Sequence, residues 1–364
     1  MAKRIGVDKW IFFTTLLLVV MGLAMVFSAS AVVAQDRYHS EFADIGRQAG
    51  WAVGGVLLMV FLMSVDYTRY NSPRFIYGSL AVSTLLLVLV FFVRDSHNTH
   101  RWIRFGGHFT FQPSEISKLV LILFLAWFLS RRLDTMRDWK NTLSRAAIIP
   151  VVFMLLVVRE PDLGTALVLA GVSAMMLVLA GMEWKYLAGA VAVALPPLAA
   201  LLFWVPWRRA RMLAFIHPDA DPMGAGFHIN QSLIAVGTGG LAGRGYMEGM
   251  QKLFYLPEAS TDFIFANIGE ELGFLGAMCI VVLFCVLGYR GLRTAYRCQD
   301  PFGRLIAFGI TTAILLQAFF NISVVLSLLP TKGIPLPFIS SGGTSLFFTL
   351  ASIGILLNVS KQVD

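Results

Sequence analysis

Ten apolar stretches, most joined by short polar loops, run along this chain. A helix needs about 20 mostly apolar residues to cross the hydrocarbon core of a bilayer. The stretches cover 10–33, 51–65, 75–93, 116–129, 146–158, 164–181, 186–205, 272–287, 305–329 and 341–359, the shorter ones borrowing residues from their flanks. A soluble fold is excluded by the same numbers. The chain is 57% hydrophobic and 14% charged, where soluble domains carry about 25% charged residues, and so apolar a surface would aggregate in water. The expected fold is an all-α integral membrane protein of about ten transmembrane helices, forming one membrane domain over 1–364. A long segment at about 206–271 links the seventh and eighth spans.

Charge sets the expected orientation. The net charge of +8 does not point to nucleic acid, because the basic residues are scattered through short loops. With the N-terminus inside, the inner segments hold sixteen Lys and Arg and the short outer loops seven. This is the positive-inside bias, with the long segment discounted. Both termini are therefore expected in the cytoplasm, and the protein in the cytoplasmic membrane. Of the three cysteines, Cys279 and Cys285 fall in a span and Cys298 in an inner loop, so no disulfide is expected.

With that orientation, the unusual polar residues gather on the outer face. They lie in 101–118, 159–165, the glycine-rich 237–245, 256–263 and 329–344. Taken singly, each has a structural explanation. Ser114 can cap the fourth helix, with Glu115 and Lys118 as an ion pair one turn apart. Asp162 can cap the sixth helix, and Asp262 can sit in the first turn of a helix after Pro257. His97 and His100 read as loop residues rather than metal ligands. Taken together, carboxylates at membrane depth are costly and persist where they face a cavity with partners. Helix N-termini and glycine-rich turns favour anions. Pro335 and Pro337 imply a non-helical stretch at 334–339, tolerated only if buried or lining a cavity. An outward-facing polar cavity suited to a phosphorylated or lipid-linked substrate follows, with catalysis, transport and lipid handling all open.

Five runs in order, 111–118 (FQPSEISK), 160–165 (EPDLGT), 256–265 (LPEASTDFIF), 269–273 (GEELG) and 333–340 (GIPLPFIS), resemble the SEDS family, the FtsW and RodA proteins that polymerise peptidoglycan. The likeness spans nearly the whole chain. Residues 25–31 (MVFSASA), 251–257 (QKLFYLP) and 329–333 (LPTKG) look more like the division-type FtsW than the elongation-type RodA. Ser260, Ser341 and Glu160 depart from the usual His, Tyr and Gln.

The resemblance implies a glycosyltransferase that joins lipid II units and releases undecaprenyl diphosphate, with inversion at the anomeric carbon. It implies a class B penicillin-binding protein, a monofunctional transpeptidase, as partner, together with other division proteins. Asp262 matches the family's essential aspartate and is expected to be the general base or to organise the acceptor. Arg101, Glu115, Lys118, Asp162, Thr261, Lys332 and Ser340 are expected to contact substrate, and Glu115 and Asp162 are candidate ligands for Mg²⁺ or Mn²⁺. A lipid II flippase would instead need polar groups at the bilayer midplane. A non-catalytic activator of the transpeptidase would tolerate loss of Asp262.

Overall fold

The computed structural model describes residues 6–93, 101–105, 109–135, 142–218, 224, 226–253 and 255–362. His97, His100 and His108 lie outside them. Ten helices stand where the ten apolar stretches are: α1 (Lys9–Tyr38), α2 (Ala43–Ser64), α3 (Pro73–Leu89), α4 (Pro113–Ser130), α5 (Ser144–Arg159), α6 (Leu163–Leu179), α7 (Trp184–Phe203), α11 (Gly273–Arg297), α12 (Pro301–Val325) and α13 (Gly343–Ser360). Among the described residues, seven helices are long and apolar enough to cross a membrane, and α6 and α7 are shorter apolar helices. The long segment folds into three short helices, α8 (Pro206–Ile216), α9 (Phe227–Gly239) and α10 (Ile264–Glu271).

Several boundaries differ from the sequence expectation. The helix at 272–287 continues to Arg297, and the one at 51–65 starts at Ala43. A helix does not stop where its residues cease to be apolar. It stops where backbone partners or caps end it. The N-cap position of the fourth helix is Gln112, two residues before the expected Ser114, and Pro113 opens the first turn. Ser114 instead accepts a hydrogen bond from the Gln112 amide. A short antiparallel pair, β1 (Ile103–Phe105) with β2 (Phe109–Phe111), precedes α4 and was not foreseen.

Burial sorts the helices into a centre and a wall. In the most apolar window of each, 78% of α4, 67% of α13 and 61% of α12 is buried, against 22% of α2 and 28% of α3 and of α11. The outer helices therefore turn apolar side chains outward, as lipid contact requires. The core is continuous from Ile11 to Val359.

The two ends of the bundle are distinguishable. Asp8 N–H donates to Ser360 Oγ at 3.2 Å, so the start of α1 meets the end of α13. At the other end, the start of α13 meets the segment before α10, where Ser341 N–H donates to Ser260 O at 2.9 Å. The proline stretch is non-helical, as expected, and buried: Ile334, Leu336, Phe338 and Ile339 are all in the core. It dips beside α1, where a Cβ on Gly22 would lie 2.4 Å from Phe338 O. Its carbonyls are satisfied by α12, Pro335 O by the Gln317 amide at 2.9 Å and Ile334 O by the Asn321 amide at 2.7 Å.

Candidate active site

At the α10 end lies a cavity of about 490 Å³, walled by the α5–α6 turn, the end of α7, α8, the segment before α10 and the 330–333 turn. Four cations line it, Arg101, Arg208, Arg211 and Lys332, and two carboxylates, Asp162 and Asp262.

Asp162 caps α6. Its carboxylate accepts from Thr165 N–H at 3.0 Å and Thr165 Oγ1 at 2.8 Å, so the structural role and the cavity position coincide. The Gln112 amide also donates to it, at 3.3 Å. Arg101 holds the turn before α6, donating from Nε to Glu160 O at 2.9 Å and from its guanidinium to Pro161 O.

Asp262 does not lie in the first turn of a helix. It lies in the 258–263 turn, two residues before α10, whose N-cap is Phe263. Three hydrogen bonds hold the segment around Asp262. The Asn321 amide donates to Asp262 O at 2.8 Å, Ser340 Oγ donates to Thr261 O at 2.6 Å, and Thr261 Oγ1 donates to Glu258 Oε2 at 2.8 Å. The carboxylate faces Gly333, where an added Cβ would sit 2.7 Å from Oδ2. Any side chain at 333 would displace it. Thr261 and Ser340 thus shape the segment rather than line the cavity.

Burial pushes the Asp262 carboxyl up to about 7, helped by the charges of Glu258 and Asp162 and opposed by Arg101 and Arg211. The cations shift the other way. Burial, and then the Arg101 charge, lower Arg208 and Arg211. Burial, and then Arg208, lower Lys332. Cations that disfavour one another in a shared cavity gain most from an anion placed among them.

Glu160, which departs from the usual Gln, is fully buried and neither carboxyl oxygen has a hydrogen-bond partner. Burial and the Asp162 charge raise it to about 9, against the pull of Arg101. At neutral pH it is a neutral side chain with the shape of Gln, the residue usual at this position of the family it resembles. An acid raised on folding binds its proton more tightly in the folded state, so it costs stability as pH climbs from about 4.5 to about 9. Glu160→Gln is expected to flatten the fall of melting temperature across that range, measured by thermal unfolding in detergent. Equal slopes for both proteins would assign the proton elsewhere.

Glu115 and Lys118 do pair, at 2.9 Å, but they line a separate crevice of about 30 Å³ between α4, α12 and α13. Lys118 Nζ also donates to Gln317 Oε1 at 2.7 Å, which links α4 to the 334–339 stretch through α12. The two candidate metal ligands are therefore engaged in different places, Glu115 with Lys118 and Asp162 with the α6 cap. No group of three His, Cys, Asp or Glu comes together among the described residues. The arrangement does not fit a metal held by protein ligands alone.

Sequence reasoning missed Arg208, Arg211 and Asn321. The signal for the arginines was the basic run at 208–211, which is hidden when a long loop is treated as unstructured.

The profile of the cell cycle protein family that takes in FtsW, RodA and SpoVE matches residues 8–364. A Geobacter metallireducens protein named as a probable peptidoglycan glycosyltransferase FtsW is 41% identical over 98% of this chain and 95% of its own. Stage V sporulation protein E of Bacillus subtilis is 41% identical over 99% and 98%. A chain from a peptidoglycan synthase complex, described as coordinating polymerization and crosslinking, superposes with a TM-score of 0.77 at 30% identity, covering 98% of each chain. The rod shape determining protein RodA of Thermus thermophilus gives 0.71 at 26% identity, covering 98% of this chain and 97% of that one. A match along almost the entire length, in both sequence and fold, makes this multi-pass membrane protein a member of the FtsW/RodA/SpoVE family.

Proposed function

We propose that the chain is a peptidoglycan glycosyltransferase that polymerises lipid II for septal wall synthesis, with Asp262 as general base. The observation that carries the reading is the carboxylate of Asp262, pushed up to about 7 by burial, sharing one cavity with four cations. In the proposed step the acceptor's 4-hydroxyl attacks C1 of the donor sugar. Asp262 takes the hydroxyl proton, the new C1–O bond forms, and the bond from C1 to the diphosphate oxygen breaks. Undecaprenyl diphosphate leaves with inversion. A base with a pKa near the working pH is matched to this task. The leaving diphosphate gains negative charge as the bond breaks, and Arg101, Arg208, Arg211 and Lys332 are placed to stabilise it. A Mg²⁺ or Mn²⁺ ion would enter with the diphosphate, whose oxygens are hard ligands.

The charge bias between loops supports placing the cavity on the outer side of the cytoplasmic membrane. The synthase-complex relative supports a class B penicillin-binding protein as partner. The 41% identity to the FtsW-named protein of Geobacter metallireducens, against 26% for RodA of Thermus thermophilus, favours the septal over the elongation role.

The purified chain with its transpeptidase, given fluorescent lipid II while an inhibitor silences unrelated glycosyltransferases, is expected to make glycan strands. Lipid II crossing vesicle membranes without polymer would make the protein a transporter instead. Arg211→Gln is expected to lower kcat/KM for lipid II about 10- to 100-fold, the worth of one hydrogen bond to a charged group. Unchanged kcat/KM would remove Arg211 from the diphosphate site.

A further inference from the structure

The end of the bundle away from Asp262 carries another cavity, of about 450 Å³, between the start of α1 and the end of α11. Lys9, Arg290, Arg293 and Arg297 line it, against the single carboxylate of Asp8. Asp8 is already committed. It caps α1 through the N–H groups of Trp10 and Ile11, at 3.0 and 3.3 Å, and pairs with Arg290 at 2.6 Å. Four cations against one carboxylate leave a formal charge of +3 on the lining. Arg297 alone would be unremarkable, since a cation in a helix's last turn complements the dipole. Arg293 and Arg290 lie one and two turns earlier on the same helix face, and Lys9 comes from a different helix, so the dipole does not account for the cluster.

We propose that this cavity binds the phosphodiester headgroup of an anionic phospholipid from the leaflet on that side. The polar cavity continues directly into lipid-facing surface. Trp10 lines it and is 63% exposed, and Phe13 and Leu17, 63% and 46% exposed, follow on the same face of α1. Tyr289, 65% exposed, stands at the matching level of α11. Tryptophan and tyrosine at that level mark the membrane–water interface. A headgroup among the cations would lay its acyl chains along the α1 face, which neither a free phosphate nor a soluble acidic peptide would use. Basic pockets between helices at the cytoplasmic side suit such headgroups.

The test is native mass spectrometry of the full chain released from vesicles of phosphatidylglycerol and phosphatidylcholine in equal amounts. Wild type is expected to retain phosphatidylglycerol preferentially. The triple variant K9Q/R293Q/R297Q is expected to bind it about 100-fold more weakly, at about five-fold per charge. Arg74→Gln, exposed at the same end of the bundle but outside the cavity, should keep the preference. If the triple variant fails to fold, R293Q alone should show the five-fold loss with an unchanged melting temperature. Equal retention of the two lipids by wild type, or unaltered phosphatidylglycerol binding by the variants, would overturn the proposal. So would displacement of the lipid by millimolar inorganic phosphate, which would mark a phosphate site. Capture of polyglutamate with no preference for phosphatidylglycerol would overturn it too, and mark a protein-docking site.

Discussion

Asp262→Asn is expected to lower lipid II polymerisation about 10²- to 10⁴-fold, the usual worth of a positioned general base. Asn keeps the side-chain volume beside Gly333 and leaves the backbone bonds from Asn321 and Ser340 in place, so folding and substrate affinity should survive. The pH profile separates a base from a residue that merely binds. With the carboxyl raised to about 7, wild-type kcat/KM should rise through neutral pH as the base ionises and level off above it. The variant's residual rate should lack that rise. Glu258 supplies a second handle, because its charge is one of the groups raising Asp262. Glu258→Gln should therefore move the midpoint to lower pH. A midpoint that ignores Glu258, or a rise that persists in Asp262→Asn, would place the titrating group elsewhere.

Glu271→Ala is expected to destabilise the protein by about 3–5 kcal/mol, the cost of stranding a buried partner charge. Glu271 and Lys252 are 1% and 4% exposed and 2.7 Å apart. The carboxylate also accepts from Ser28 Oγ of α1 at 2.7 Å and from Met247 N–H at 3.0 Å. Next to it, Glu270 accepts from the N–H groups of Met250 and Gln251 at 2.9 and 3.1 Å. The two carboxylates together fasten the 244–252 loop to α10 and α1, and that loop leads directly into the 258–262 turn. Thermal unfolding of Glu271→Ala, of Lys252→Met and of Glu271→Leu with Lys252→Met forms the check. The double replacement should recover most of the loss, because a buried pair exchanged for apolar groups removes both charges at once. If the double variant is as unstable as Glu271→Ala, packing rather than the stranded lysine sets the cost.

The glycine runs show what pattern could and could not predict. Glycine-rich stretches such as 237–245 are compatible with either turns or close helix packing. The structure uses both: α9 crosses α10 so tightly that a Cβ on Gly239 would lie 1.9 Å from Gly269 O, and the chain then turns through Gly240, Gly243 and Gly245, all at positive φ. Likewise, Glu115 with Lys118 and the Asp162 cap were legible because their partners lie three residues away, on one turn of helix. Arg208 and Arg211 were not, because their role depends on where α8 settles relative to Asp262, some 50 residues later in the chain.

Apolar length and short motifs alone specify the ten apolar helices, the class of fold, and the family with its aspartate at 262. Bilayer thickness and backbone hydrogen bonding impose these locally, so they are written in apolar length and short motifs. Which polar residues share a cavity emerges only from how the helices pack. That packing sets Glu115 apart from Asp162, draws Arg208 and Arg211 to Asp262, and buries Glu160 without a partner. Those outcomes depend on charges and burial contributed by distant segments, and a carboxyl's proton affinity depends on its surroundings in space, which no stretch of chain contains alone.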